Sequence, residues 1–181
     1  MSMKKVRFIF LMLVIAGLFI RCSEDPKARI QALEKKMSEA NFTLDEKGMQ
    51  TARELVNAYL DYAEKNKESA EAPDYLYKAA DLSLNINESK QSLDLYNRII
   101  YQYPGYKKVP ECLFLMGYIN ENYFQELGRA KELYQSFLDK YPNHDFADDA
   151  RISIENLGKS PEELIRSFEE KNRLVQDTVS I

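Results

Sequence analysis

The most regular feature of the sequence is a helical spacing of apolar and small residues that opens two neighbouring blocks, residues 72–104 and 109–142. Within each opening segment these residues fall three and four positions apart, which places them on one side of a helix. They are Leu76, Ala79 and Ala80 in the first block and Leu113, Met116 and Gly117 in the second. Each block is therefore predicted to begin with an amphipathic helix, and its small residues allow another helix to approach closely.

The second half of each block predicts another helix, on which a small residue and two large ones share a face. These residues are Ser92, Tyr96 and Ile99 in the first block and Ala130, Tyr134 and Phe137 in the second. Both blocks then end in Tyr-Pro. This pair predicts the end of the helix, because proline cannot continue a helix and disfavours helical backbone in the residue before it. The predicted unit is a helix, a turn, a second helix and a break.

The two blocks are copies of one another. Pro73 and Pro110 lie 37 residues apart, and Pro104 and Pro142 lie 38 apart. A period in this range is typical of helical repeat proteins. Since one helical hairpin cannot bury its own apolar face, neighbouring hairpins have to stack. The predicted fold class is all-α, an α-solenoid of helix-turn-helix repeats.

Partial copies flank the two full repeats and extend the predicted repeat domain to residues 44–173. Residues 44–67 form a half repeat that corresponds to a second helix alone, and residues 146–173 form a terminal repeat.

The terminal repeat ends in a helix whose start is clearly marked. Ser160, Pro161 and Glu163 supply a serine cap, a proline at the first helical position and a glutamate three residues after the cap. The helix is expected to bury Leu164, Ile165 and Phe168 against the last repeat, and residues 174–181 are expected to fray.

The repeat pattern resembles that of the tetratricopeptide repeat. The positions that carry the resemblance are Leu76, Ala80, Ser92, Tyr96, Ile99 and Pro104. The long links after each Tyr-Pro resemble those of periplasmic assembly lipoproteins. The chain resembles first the D-subunit type of the outer-membrane β-barrel assembly machinery and next the periplasmic cell-division coordinator type, which also carries these repeats. The resemblance covers residues 44–173 and implies a protein that binds other proteins.

Residues 1–21 are predicted to be a signal peptide. Lys4, Lys5 and Arg7 precede an uninterrupted run of 13 apolar or glycine residues at positions 8–20. A helix of that length reaches about 20 Å, whereas the hydrocarbon core of a bilayer is ~30 Å thick. The run therefore favours a cleaved signal over a transmembrane anchor.

Cys22 directly follows this run and opens a polar tether, so residues 22–43 are predicted to be a lipidated cysteine, a tether and a short helix. The position of Cys22 resembles the processing site of bacterial lipoproteins, which implies a lipid anchor in the outer membrane of a Gram-negative cell envelope. Glu24 and Asp25 resemble a surface-export signal, so periplasmic and surface-facing locations both stay open. Arg21 stands where such sites have a small residue, and the alternative is a free thiol beside an uncleaved anchor.

Charge narrows the range of partners. The basic residues of the leader are not balanced by any acid, and from Cys22 onward the chain has 21 basic and 29 acidic residues, a formal charge of −8. With such an excess of negative charge, the chain is not expected to bind nucleic acid or an anionic membrane through a broad basic surface. Two cysteines cannot form a disulfide framework.

No group of residues predicts catalysis. His144 is the only histidine and is expected on a surface loop, and Cys112 is expected to be a packing residue because no histidine is placed to activate it. Paired carboxylates at helix starts are explained by the helix dipole. The chain is therefore predicted not to be an enzyme and to bind no metal, cofactor or small-molecule substrate.

In the resembling family, the first helices of the repeats line a concave face that binds a partner. The residues predicted to bind a partner at these positions are Tyr77, Asp81, Glu111, Phe114, Tyr118 and Asn122. Aromatic side chains flanked by acids favour an extended or helical segment with basic flanks. For Tyr77 and Phe114, packing between repeats is an equally open alternative.

Two functional hypotheses follow. The first is a non-catalytic, membrane-tethered scaffold of the cell envelope that binds envelope proteins in outer-membrane assembly or envelope maintenance. The alternative is a periplasmic regulator subunit of a cell-wall synthesis or Tol-type transport complex.

If Cys22 carries the lipid, Cys22→Ala is expected to move the protein from the membrane pellet to the soluble fraction. Fractionation followed by immunoblotting measures this change. Retention of the variant in the pellet would instead assign membrane attachment to the apolar run at positions 8–20.

Overall fold

The structure is a computed structural model that describes residues 25–43 and 45–179, so the predicted signal peptide and Cys22 lie outside the described residues. Within these ranges the chain forms eight helices and no strand. The helices are α1 (Pro26–Glu39), α2 (Glu46–Lys65), α3 (Ala72–Asn85), α4 (Ser89–Gln102), α5 (Val109–Asn122), α6 (Leu127–Lys140), α7 (Ala147–Asn156) and α8 (Pro161–Val179). The predicted all-α solenoid class is confirmed.

The helices pack in chain order, each on the next, from α1 through α7. Two hairpins, α3–α4 and α5–α6, correspond to the two full repeats of the sequence pattern. Their shared second-helix face is completely buried, with no exposed surface at Ser92, Tyr96, Ile99, Ala130, Tyr134 and Phe137. The repeat pattern therefore selects the residues that form the core.

Gly117 sets how closely α5 and α6 approach. A β-carbon built on Gly117 would lie only 2.7 Å from Cε1 of Tyr134. The ring is held in this position because the Tyr134 hydroxyl donates to Oε2 of Glu121 at 2.7 Å. Ala80 stands 37 residues earlier and is fully buried. The second repeat thus needs glycine where the first has alanine.

α1 belongs to the stack, whereas the sequence predicts a tether with a short helix and only half of a leading repeat. Ile30 and Met37 of α1 are 1% and 2% exposed and lie in the core. Glu34 accepts hydrogen bonds from the Tyr59 hydroxyl at 2.8 Å and from Nζ of Lys78 at 2.9 Å, which joins α1 to α2 and α3. The leading hairpin is therefore complete. Its first helix lacks the paired small residues of the later repeats, so the repeat spacing does not detect it.

The start of α8 follows the sequence signal. The backbone N–H of Glu163 donates to Oγ of Ser160 at 3.2 Å, and the backbone N–H of Ser160 donates to Oε2 of Glu163 at 2.8 Å. This reciprocal pair is a capping box, which satisfies two donors that a helix start leaves without partners.

The packing predicted for α8 is wrong. Ile165 and Phe168 are 59% and 57% exposed, and Leu164 is only half-buried. Leu164 stands 34 residues after Ala130, where the preceding hairpin has a small residue at the helix crossing. The larger side chain opposes the close approach that buries the equivalent face of α6.

α8 also continues further than the sequence suggests. It remains helical to Val179, although a frayed tail is predicted from residue 174. Residues 174–179 contain neither proline nor glycine, so nothing in them stops the helix. None of the helices in the described part of the chain is both long and apolar enough to span a bilayer.

Gly117→Ala is expected to lower the free energy of unfolding by about 1–3 kcal/mol, because the added methyl group overpacks the contact with Tyr134. Gly128→Ala is the matched control, since nothing lies within 4 Å of a β-carbon at that helical position. Urea denaturation followed by circular dichroism measures both variants. Equal stabilities would mean that α5 and α6 are less closely packed than the structure indicates.

Candidate interaction surface

The first-helix face, defined as the outward surface of α3 and α5, contains the six residues predicted to bind a partner. The structure places them in two environments. Three of them are half-buried, namely Tyr77, Glu111 and Phe114, and three are exposed, namely Asp81, Tyr118 and Asn122. The half-buried residues contact neighbouring parts of the stack, whereas the exposed ones are accessible to a partner.

Tyr77 packs against the second helix of its own repeat. Its ring meets that of Tyr96 edge-on, with 5.6 Å between centroids, and Nζ of Lys108 lies 4.1 Å from the centroid of its ring. Burial raises the pKa of Tyr77 to about 12. Asp81 lies one turn further along α3 at the surface, where partial desolvation raises the pKa of its carboxyl and Lys108 opposes that effect. Asp81 is therefore the accessible member of this pair.

Phe114 lies in an aromatic cluster where α5, α6 and the link to α7 meet. Its ring centroid is 5.5 Å from that of Tyr134, 5.7 Å from Phe137 and 5.0 Å from Phe146. Ring pairs at such distances contribute about 0.5–1.5 kcal/mol each beyond the area they bury. Phe114 thus stabilises the contact between the second and terminal repeats.

His144 is not the surface-loop residue that the sequence predicts. It is half-buried, its ring lies edge-on to Phe137 at 5.5 Å, and its Nε2 is 3.9 Å from Oε2 of Glu111, which is too far for a hydrogen bond. One repeat earlier, Tyr106 occupies the same place, and its hydroxyl donates to Oδ1 of Asp74 at 2.7 Å. Each contact between neighbouring repeats, here called a joint, is filled by a ring from the link that connects them, which explains the burial of His144.

Tyr118 and Tyr123 form an accessible aromatic pair at the end of α5. They are 39% and 40% exposed, and their rings meet nearly edge-on with 6.2 Å between centroids. Nδ2 of Asn122 donates to the carbonyl of Tyr118 at 3.0 Å, which stabilises the last turn of the helix. Tyr123 is absent from the predicted set because it follows the last position of the helical pattern.

The sequence prediction also misses accessible residues of the leading hairpin. Phe42, in the turn between α1 and α2, is 66% exposed, and Glu34 and Lys78 form an ion pair of 2.9 Å between α1 and α3. Glu34 and Phe42 are missed because residues 22–43 are assigned to the tether and its short helix. The helical spacing of Ile30 and Met37 is the signal that could have placed α1 in the stack.

Cys112 offers no reactive thiol. It is fully buried, and that burial, with the negative charge of Glu111 adding to it, raises the pKa of the thiol to about 12. The thiolate is the reactive form, and it is disfavoured in such surroundings. Within the described ranges, no three histidine, cysteine, aspartate or glutamate side chains are arranged to hold a metal ion.

The tetratricopeptide repeat family matches residues 74–106 and 111–144, which correspond to the α3–α4 and α5–α6 hairpins. The chain contains tetratricopeptide repeats. No curated protein matches it. Such repeats generally mediate contacts between proteins and are generally non-catalytic, which indicates a protein-binding scaffold.

Phe114→Ala is expected to lower the free energy of unfolding by about 2–4 kcal/mol, because it opens a gap in the aromatic cluster. Tyr118→Ala is expected to lower it by about 1 kcal/mol or less, because so much of the ring is already in water. Chemical denaturation of the two variants measures the difference. The reverse order would identify Tyr118 as the core residue of the pair.

Proposed function

We propose that the chain is a non-catalytic scaffold of the cell envelope, tethered to a membrane through Cys22, that binds a protein partner through the first-helix face. Its proposed role is in outer-membrane assembly or envelope maintenance. The observation that supports partner binding is the exposed pair of Tyr118 and Tyr123. The leader supports the location, with its positive start, its apolar run and Cys22 before a polar tether.

The Tyr118–Tyr123 pair has the properties of an interface anchor. Tyrosine presents a large apolar ring and a hydroxyl, and a few such residues commonly dominate the binding energy of a protein interface. The two rings already contact one another, with 6.2 Å between centroids. A partner therefore meets a partly ordered surface, which reduces the entropy lost on binding.

The charge of the chain favours a partner with basic segments. Beyond the leader the chain has 21 basic and 29 acidic residues, and Asp81 is exposed on the first-helix face. Attraction between opposite charges speeds encounter more than it tightens the final complex. Glu111 contributes less than its sequence position suggests, because its Oε2 is buried and faces His144.

Tyr118→Ala is expected to weaken partner binding by about 1–2 kcal/mol, which is roughly a 5- to 30-fold loss of affinity. Crosslinking and pull-down from envelope extracts, compared with the wild type at matched melting temperature, measure this loss. Tyr101→Ala is the matched control, because Tyr101 is 78% exposed but lies on α4, a second helix.

The proposal requires that the control recover the same partners as the wild type while Tyr118→Ala recovers less of at least one of them. Equal recovery of every partner by both variants would remove Tyr118 from the binding surface. Equal losses in both variants would instead point to a general contribution of exposed tyrosines.

A further inference from the structure

We infer that the link edge, defined as the edge of the stack formed by links 66–71 and 103–108, faces the membrane and binds a zwitterionic phospholipid headgroup of the phosphoethanolamine type. The inference rests on the proposed function in assuming that Cys22 carries a lipid. It adds a second membrane contact and a class of lipid, and it does not involve the first-helix face.

A very short tether separates the proposed lipid from the first packed helix. Cys22 precedes Pro26, the first residue of α1, by four residues. Four residues span at most about 14 Å when fully extended. Ile30 of α1 lies in the core of the stack, so α1 itself does not lengthen the tether. The start of α1 is therefore held close to the membrane surface.

The start of α1 lies on the link edge. Nζ of Lys27 is 2.7 Å from Oε2 of Glu71, which belongs to the first link. Further along the edge, the Tyr103 hydroxyl donates to the carbonyl of Lys67 at 3.1 Å and so joins the second link to the first. A tether that holds the start of α1 at the membrane surface therefore brings both links to that surface.

A groove with aromatic walls lies between the two links. Its volume is about 860 Å³, within the range of ~300–1,000 Å³ in which ligand pockets fall. The half-buried rings of Tyr103 and Tyr106 line it. Their hydroxyls donate to the carbonyl of Lys67 and to Oδ1 of Asp74, which fixes both rings. Tyrosine suits a membrane interface because its ring is apolar and its hydroxyl is polar.

The charges of the groove are mixed and leave one group of each sign available. The charged residues that line it are Lys67, Lys107, Glu68 and Asp74. Lys67 pairs with Glu64 at 3.0 Å, and Asp74 already accepts the tyrosine hydroxyl. Lys107 and Glu68 are exposed, and neither forms an ion pair within the described residues. The groove therefore offers one ammonium and one carboxylate to a ligand.

This pair of charges selects among phospholipid headgroups. Phosphoethanolamine carries a phosphate for Lys107 and an ammonium whose N–H groups can donate to Glu68, and such charge-assisted hydrogen bonds are strong. The quaternary ammonium of phosphocholine has no N–H to donate. An anionic headgroup brings no cation to Glu68 and is repelled by it.

The test is amide hydrogen exchange of the full lipidated chain in phosphatidylcholine vesicles with and without phosphatidylethanolamine. The N–H of Ser69 donates to the carbonyl of Asn66 at 2.8 Å, and that of Tyr106 donates to the carbonyl of Tyr103 at 2.9 Å. These amides exchange only when the links open. Their exchange is expected to be about tenfold slower with phosphatidylethanolamine, as for a ligand present at about ten times its dissociation constant.

Two controls separate headgroup binding from general effects of the vesicle. The turns 86–88 and 123–126 lie at the opposite edge and are expected to exchange equally in both kinds of vesicle. Lys107→Gln is expected to lose most of the slowing in the links, because glutamine cannot neutralise the phosphate. Lys90→Gln is the matched control and is expected to keep it, because Lys90 is an exposed lysine near the start of α4, at the opposite edge.

Three outcomes would overturn the inference while Tyr118-dependent partner capture persists. They are equal exchange of the links in both kinds of vesicle, full slowing in Lys107→Gln, and equal slowing when phosphatidylglycerol replaces phosphatidylethanolamine, since phosphate alone would then suffice. The mass of the intact chain distinguishes these results from a failure of the proposed function. A mass without lipid at Cys22 would overturn the anchoring and, with it, this inference.

Discussion

The whole stack depends on one kind of contact, in which a large ring lies against a small residue where the two helices of a hairpin cross. Tyr134 lies so close to Gly117 that a β-carbon there would be 2.7 Å from the ring. The first repeat has Tyr96 and Ala80 in the equivalent places, and both are fully buried. Burying a large apolar side chain contributes about 1.5–3 kcal/mol, and this requires helices that approach closely enough to exclude water. In the terminal repeat Leu164 stands where α6 has the small residue Ala130, and Phe168, at the position of the Tyr134 ring, is 57% exposed.

The joints between repeats follow a second rule, in which shape is kept while chemistry changes. Tyr106 donates to Asp74 at 2.7 Å in the first joint, whereas His144 lies 3.9 Å from Glu111 in the second. The aromatic ring from the link and the acid near the start of the helix are retained, but the hydrogen bond is not. Packing of the ring is therefore the common contribution of these links, and the polar contact is an addition that the first joint has and the second lacks.

The sequence predicts the parts of the fold that repeat and misses the parts that do not. The spacing from Leu76 to Phe137 is regular enough to predict two hairpins and their buried residues, because the same pattern of apolar and small residues occurs in both copies. α1 is missed since Ile30 and Met37 have no counterpart at the repeat period, and it is held by Glu34, whose partners lie 25 and 44 residues away. Contacts over such distances follow only from the assembled stack.

The candidate site is less predictable than the fold for the same physical reason. A position on the first helix of a repeat can point to solvent or into a joint, and the neighbouring repeat decides which. Phe114 is covered by Phe146 of the next link, whose ring centroid lies 5.0 Å from that of Phe114. Nothing within the α5 segment itself predicts this contact. Tyr118 is one turn further on and stays 39% exposed.

The position of the accessible residues follows from how a solenoid uses its surfaces. Each inner hairpin contacts a neighbour on both sides, so most of the surface of its helices is buried against those neighbours. The large accessible aromatics of the first-helix side accordingly lie where helices end. Phe42 follows α1, and Tyr118 and Tyr123 flank the last turn of α5. Substituting at such ends changes the surface without opening the core, so the scaffold can vary what it binds while the contacts of large rings with small residues that hold it together remain fixed.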